Sequence, residues 1–224
     1  MRDLTVTDLG SGAAYAEVLA LQERLHARRA AGEIPDALLL LEHRPVYTLG
    51  RSAVEAHVLY SEDALRRAGI ERAVTSRGGD VTYHGPGQLV GYPIVHLGGL
   101  GLRVLEYVSG LEETLLRVAA SYGVAARRDA RNRGVWVGDD KLAALGIRVA
   151  RQVTMHGFAL NVSTRLEDYG GIVACGLRGV GVTSLERLLG RAPDMGEVKA
   201  RTVEAFRAVF GFGADEAGDG REAV

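Results

Sequence analysis

The chain has 224 residues, of which 47% are apolar, and a formal charge of -1. A domain of this length buries about 70% of its unfolded surface, so a core forms without staples. One cysteine excludes an internal disulfide framework, no CxxC pair exists for zinc or dithiol chemistry, and the balanced charge gives no global field for nucleic acid or a membrane surface.

Residues 1–10 alternate polar and apolar without the basic flank and apolar block of a signal peptide, and no later stretch is long enough to span a bilayer, so a cytoplasmic protein is expected. Ala14, Val18, Leu21 and Leu25 are spaced as one buried stripe of a helix over 14–29. Strand-like runs follow at 37–42, 46–49 and 70–76, with Ser61 as the cap of a short helix ending near Gly69. After a further strand at 89–95, Leu105, Val108, Leu111, Leu115, Val118 and Tyr122 predict a helix over 102–122. The 134–138 run, a turn at Gly138, Asp139 and Asp140, and the 142–149 run read as a hairpin, and a strand at 153–162 follows. A last helix carries Val198, Phe206 and Val209 and stops near Gly211. Strands cluster instead of alternating with helices, which predicts an α+β fold with mostly antiparallel sheets flanked by helices. The expected organisation is one catalytic domain over 1–212 and a disordered tail over 213–224.

The segment from Arg77 to Gln88, RGGDVTYHGPGQ, combines glycine density with polar side chains. Glycine lets backbone approach a ligand, and Arg77, Thr82, Tyr83 and His84 offer hydrogen bonds to a polar head group; a long turn between strands is the plainer alternative. His84 is a candidate base or donor, and equally a structural histidine. There is no GxxxxGK[ST], and Gly179, Val180 and Gly181 begin a GxGxxG that Ser184 leaves incomplete, which weighs against ATP chemistry.

Only Lys141 and Lys199 among 27 basic residues are lysine. A lysine, unlike an arginine, can lose its proton and act as a base. In a regular strand Lys141 shares a face with Ala143, Leu145, Ile147 and Val149; the alternative is a solvated lysine beside Asp139 and Asp140, and Lys199 reads as solvated. Cys175 lies between glycines in GGIVACGL, a setting that suits an accessible nucleophile, although a single thiol is often inert and buried. Lys141 and His84 are the candidate groups to activate it. Arg127, Arg128, Arg131 and Arg133 form a run that could meet an acidic carrier protein, with a solvated face as the plainer reading.

Four blocks together resemble the octanoyltransferases of lipoate biosynthesis, the LipB family, over nearly the whole chain before the tail. They are RGGDVTYHGPGQ at Arg77, KLAALGIRV at Lys141, TMHGFALNV at Thr154 and CGLRGVGVTSL at Cys175, with weaker support from EHRPVYTLGR at Glu42. The resemblance implies the α+β fold shared by biotin and lipoate protein ligases. It implies that octanoyl passes from the phosphopantetheine of acyl carrier protein to Cys175 as a thioester, with Lys141 as the second catalytic residue. From there the group goes to a lysine of lipoyl domains, those of 2-oxoacid dehydrogenase complexes and the glycine cleavage H protein. The implied acyl contacts are Arg77, Gly78, Gly79, Asp80, Val81, Thr82, Tyr83, His84, Ala144, Leu145, Gly146, Gly157, Phe158 and Ala159. No metal and no cofactor beyond the carrier's arm is implied, nor any nucleic acid or membrane partner. This chain has Ala174 where the family commonly has proline, which leaves that loop freer. An ATP-using ligase and a non-catalytic acyl-binding module are the alternatives, separated by ATP dependence and by Cys175→Ser.

Overall fold

The computed structural model describes residues 2–174 and 180–213. Its elements in chain order are β1 (Leu4–Asp8), α1 (Tyr15–Ala30), β2 (Asp36–Leu41), β3 (Val46–Leu49), α2 (Glu62–Ala68), β4 (Glu71–Val74), β5 (Val81–His84), β6 (Gln88–Ile94), α3 (Leu97–Leu100), α4 (Val104–Ser121), β7 (Gly134–Val137), β8 (Asp140–Ala150), β9 (Val153–Asn161), β10 (Gly181–Val182), α5 (Leu185–Leu189) and α6 (Met195–Phe210). The predicted tail lies outside the described residues from 214 onward.

A seven-stranded sheet runs β1-β2-β6-β9-β8-β10, with β7 also paired to β8, and a three-stranded sheet runs β4-β3-β5. The long pairings are antiparallel, as expected; β1 with β2, β3 with β4 and β8 with β10 are parallel. Every residue of β2 is buried because helices cover both faces of the large sheet. Leu38 and Leu40 pack with Leu111 and Leu115 of α4 and Phe206 of α6, whereas Leu39 and Leu41 pack with Val18 and Leu25 of α1. Ser61 caps α2 by accepting from Ala64 N at 3.3 Å, and Gly69 ends it in the left-handed region at φ 66°.

Three details depart from the sequence reading. Leu105, expected on the buried face of α4, is 68% exposed, and Tyr107 and Glu112 are buried instead. Leu111, Leu115 and Val118 are buried as expected; the buried face reaches the first turn through Tyr107, and Leu105, two residues earlier, lies off it. The stripe of α1 includes the polar Gln22 and His26, both hydrogen-bonded to backbone around β9: Gln22 Oε1 accepts from His156 N at 2.9 Å, and His26 Nε2 contacts Ala150 O at 3.1 Å. Lys199 is not solvated: its side chain is 13% exposed and its ammonium pairs with Asp8 at 2.7 Å, tying α6 to β1.

Candidate active site

A cleft of about 60 Å3 lies where the small sheet meets the α1-covered face of the large one. Arg77, Gly79, Asp80, Val81, Thr82 and His84 form one wall; Ala144, Leu145, Gly146, Gly157, Phe158 and Ala159 form the other. The glycine-rich segment is therefore half loop and half strand, since β5 begins at Val81 and pairs with β3. Ala144 faces Ala159 and Gly146 faces Gly157 in the β8–β9 register, and all four line the cleft. Gly78 and Tyr83 do not line the cleft. Gly78 N donates to Ile147 O at 2.8 Å, and Tyr83 turns away to donate to Asp168 at 2.7 Å.

Glycine at 157 is required by close approach, because a Cβ there would stand 2.2 Å from the Gly91 carbonyl oxygen. Gly157→Ala is expected to lower the unfolding free energy by about 2 kcal/mol, the range of an overpacked core, as read by chemical denaturation.

The floor of the cleft is unusually rich in neutral polar groups. Tyr15, Tyr92 and His156 line it beside His84, and His43 stands behind Tyr92. His43 Nδ1 donates to Ala13 O at 3.1 Å, which leaves Nε2 to accept from the Tyr92 hydroxyl at 2.8 Å. His84 Nδ1 donates to Gln88 Oε1 at 2.8 Å. Burial pushes His43 down to about 4, and burial with the nearby Arg77 charge pushes His156 down to about 4. His84 falls well below its ordinary value through burial and the neighbouring His43. His156 sits at φ 58°, a left-handed conformation uncommon for a residue other than glycine, and its ring lines the cleft. Arg77 is 7% exposed and holds the turn by donating to Thr48 Oγ1 at 3.0 Å and Gly78 O at 3.0 Å.

Lys141 enters from the mouth. Its side chain is buried, Nζ donates to Asn132 Oδ1 at 2.6 Å, and the ammonium lies 5.0 Å from the centre of the Trp136 ring. The expected hairpin is present, but its register slips: Trp136 faces Lys141 and Val135 faces Ala143, so Leu142 is an extra residue. This bulge breaks the alternation on which a shared face with Leu145, Ile147 and Val149 depended. Those three pack toward the α4–α6 core, while Lys141 lines a small cavity with Ala143 and Ala144. That cavity, about 10 Å3, is also lined by Thr82, Asn161, Tyr169, Ala174 and Val182. Thr82 and Ala144 belong to both cavities, so Lys141 and Ala174 stand at the end of the main cleft. Cys175, the residue after Ala174, lies outside the described residues.

Tyr15, Tyr92, Asn132 and His156 line the cleft and were not singled out from the sequence. The clue for His156 was the adjoining Gly157; the others sit in segments whose pattern reads as ordinary helix, strand or loop. Among the described residues no helix is long and apolar enough to cross a membrane.

The sequence and the fold have counterparts among known proteins. In sequence, residues 14–207 match the family described as the lipoyl protein ligase A/B catalytic domain. An octanoyltransferase from Caldicellulosiruptor saccharolyticus is 47% identical over 199 residues, 88% of this chain and 85% of its own. One from Rubrobacter xylanophilus is 48% identical over 88% of this chain and 89% of its own. In structure, the chain superposes on a lipoate-protein ligase A bound with ATP at a TM-score of 0.72 and 15% identity, covering 96% of this chain and 88% of the other. A biotin protein ligase from Aquifex aeolicus, in complex with biotin and ATP, follows at a TM-score of 0.57 and 12% identity, covering 92% and 70%. The ligases share the fold; by the match over residues 14–207 and the octanoyltransferases that share nearly half of its residues, the chain belongs to the lipoyl protein ligase A/B catalytic family, among its octanoyltransferases.

Proposed function

We propose that this protein transfers an octanoyl group from the thioester of acyl carrier protein to Cys175, and from Cys175 to a lysine amine of a lipoyl domain. The supporting observation is that Lys141 and Ala174, the neighbour of Cys175, line one small cavity that continues the apolar cleft between Ala144 and Ala159. In the first step Lys141 takes the thiol proton, the thiolate attacks the carrier thioester, and the departing phosphopantetheine thiol receives the proton. In the second step the acceptor amine attacks the Cys175 thioester, loses a proton to Lys141, and the cysteine leaves as thiol after reprotonation. Thioester exchange is near neutral in energy and amide formation runs downhill, so neither step needs ATP. The acyl chain lies in the cleft against the wall that Ala144, Gly146, Gly157 and Ala159 form.

Incubation with octanoyl acyl carrier protein and no acceptor is expected to add one octanoyl mass to Cys175, seen by intact-protein and peptide mass spectrometry. An adduct elsewhere, or none, refutes the two-step reading. Transfer to a lipoyl domain that requires ATP would assign the protein to the ligase chemistry of its structural neighbours instead.

A further inference from the structure

The loop that carries Asn132 is fastened on every side. Its base is closed by two backbone bonds, Arg127 N to Trp136 O at 2.8 Å and Trp136 N to Arg127 O at 2.9 Å. On one flank Arg131 is held by Asp129, which accepts from its backbone at 2.9 Å and from its guanidinium at 2.8 Å. On the other flank Glu112, a buried residue of α4, accepts from Gly134 N at 3.0 Å and Arg133 at 3.1 Å. The Asn132 carbonyl oxygen accepts from Trp136 Nε1 at 3.2 Å. With both neighbours and its own backbone fixed, Asn132 presents Oδ1 to Lys141 Nζ at a set position. Space for the lysine comes from Gly134, where a Cβ would stand 2.6 Å from Lys141 Cε.

We infer that Asn132 is a positioning residue: its amide oxygen holds the Lys141 amine at the mouth of the cleft and, being neutral, adds no negative charge beside it. What the amine then does rests on the octanoyl-transfer reading; the positioning itself rests on the loop. A neutral amide and a carboxylate of equal shape differ here by one charge in direct contact with Nζ, and an opposite charge at such a distance favours the protonated amine. Among the described residues, the charged and titratable groups near Lys141 are Asp140 beside it on β8, Arg131 at the Trp136 ring, Arg133 and Glu112 beyond Gly134, and Tyr169 across the small cavity. Of these, none is changed by substitution at 132.

The test compares wild type, Asn132→Ala and Asn132→Asp by two readouts. Competitive acetylation of Lys141 with acetic anhydride across pH, read by peptide mass spectrometry, follows the amine whether or not the protein is active. Asn132→Asp is expected to displace that profile to higher pH by about one unit, and a profile coincident with wild type overturns the inference. Octanoyl transfer gives the second readout: Asn132→Ala is expected to lower kcat about tenfold or more with KM unchanged, the usual scale for removing a group that orients an active one. Asn132→Asp should be slow at neutral pH and recover as pH rises. Unchanged kcat in the alanine variant overturns the inference. If alanine unfolds the loop, as circular dichroism and melting would reveal, the aspartate variant still decides through its displaced profile. A wild type without transfer activity would refute the proposed function alone, because the acetylation profiles stand apart from turnover.

Discussion

Lys141→Arg is expected to lower octanoyl transfer about 10³-fold while leaving the protein folded. The positive charge is retained, so a role limited to attracting a thiolate would survive the change; arginine stays protonated, so a role in moving protons would not. General acid–base catalysis accounts for roughly 10² to 10⁴ in rate, which sets the scale of the loss. Space adds to the effect. Lys141 is buried between Asn132, Trp136 and the side-chain-free edge of Gly134, and the wider guanidinium meets the wall that Gly134 only just clears. Steady-state transfer from octanoyl acyl carrier protein, with melting temperature as the control for folding, measures both. A fully active arginine enzyme would remove Lys141 from the proton path.

Acid is expected to weaken the fold well above the range in which carboxylates titrate. His43 and His156 are held neutral in the fold, each lowered to about 4, whereas an unfolded histidine titrates near 6.5. Between those values the unfolded chain binds protons that the folded one refuses, so unfolding is increasingly favoured as pH falls. The stability is fully present above about pH 6.5 and is lost progressively toward pH 4; by pH 5 the two groups together cost about 4 kcal/mol, at roughly 2 kcal/mol each. His84, lowered further by burial, acts in the same direction. Denaturant unfolding at pH 8 and pH 5 measures the difference, and His156→Asn should flatten it. Equal stability at the two pH values would mean that the three rings are not held neutral. The same neutrality suits an apolar acyl chain, since a protonated ring in the channel would have to be desolvated by it.

Much of the architecture is written in local patterns. The spacing of Val18 and Leu25, the Ser61 cap, the left-handed stop at Gly69 and the turn at Gly138 each depend on neighbours within a few residues, and the structure has the corresponding elements. The small residues Ala144, Gly146, Gly157 and Ala159, expected on adjacent strands, do pair there, Ala144 with Ala159 and Gly146 with Gly157. Family motifs pointed to the octanoyltransferases, which composition alone left undecided.

What the sequence by itself determined was thus the set of helices and longer strands and the family to which the chain belongs, all properties carried by short stretches of chain. Only tertiary structure decided which way Lys141 points, since that follows from one extra residue at Leu142 in its pairing with β7. It alone brought Tyr15, Tyr92 and His156 under the cleft and set Asn132 against the lysine, contacts between segments far apart in sequence. The physical reason is that periodicity reports the face a residue shows to its own element, whereas a cleft is made where faces of different elements meet.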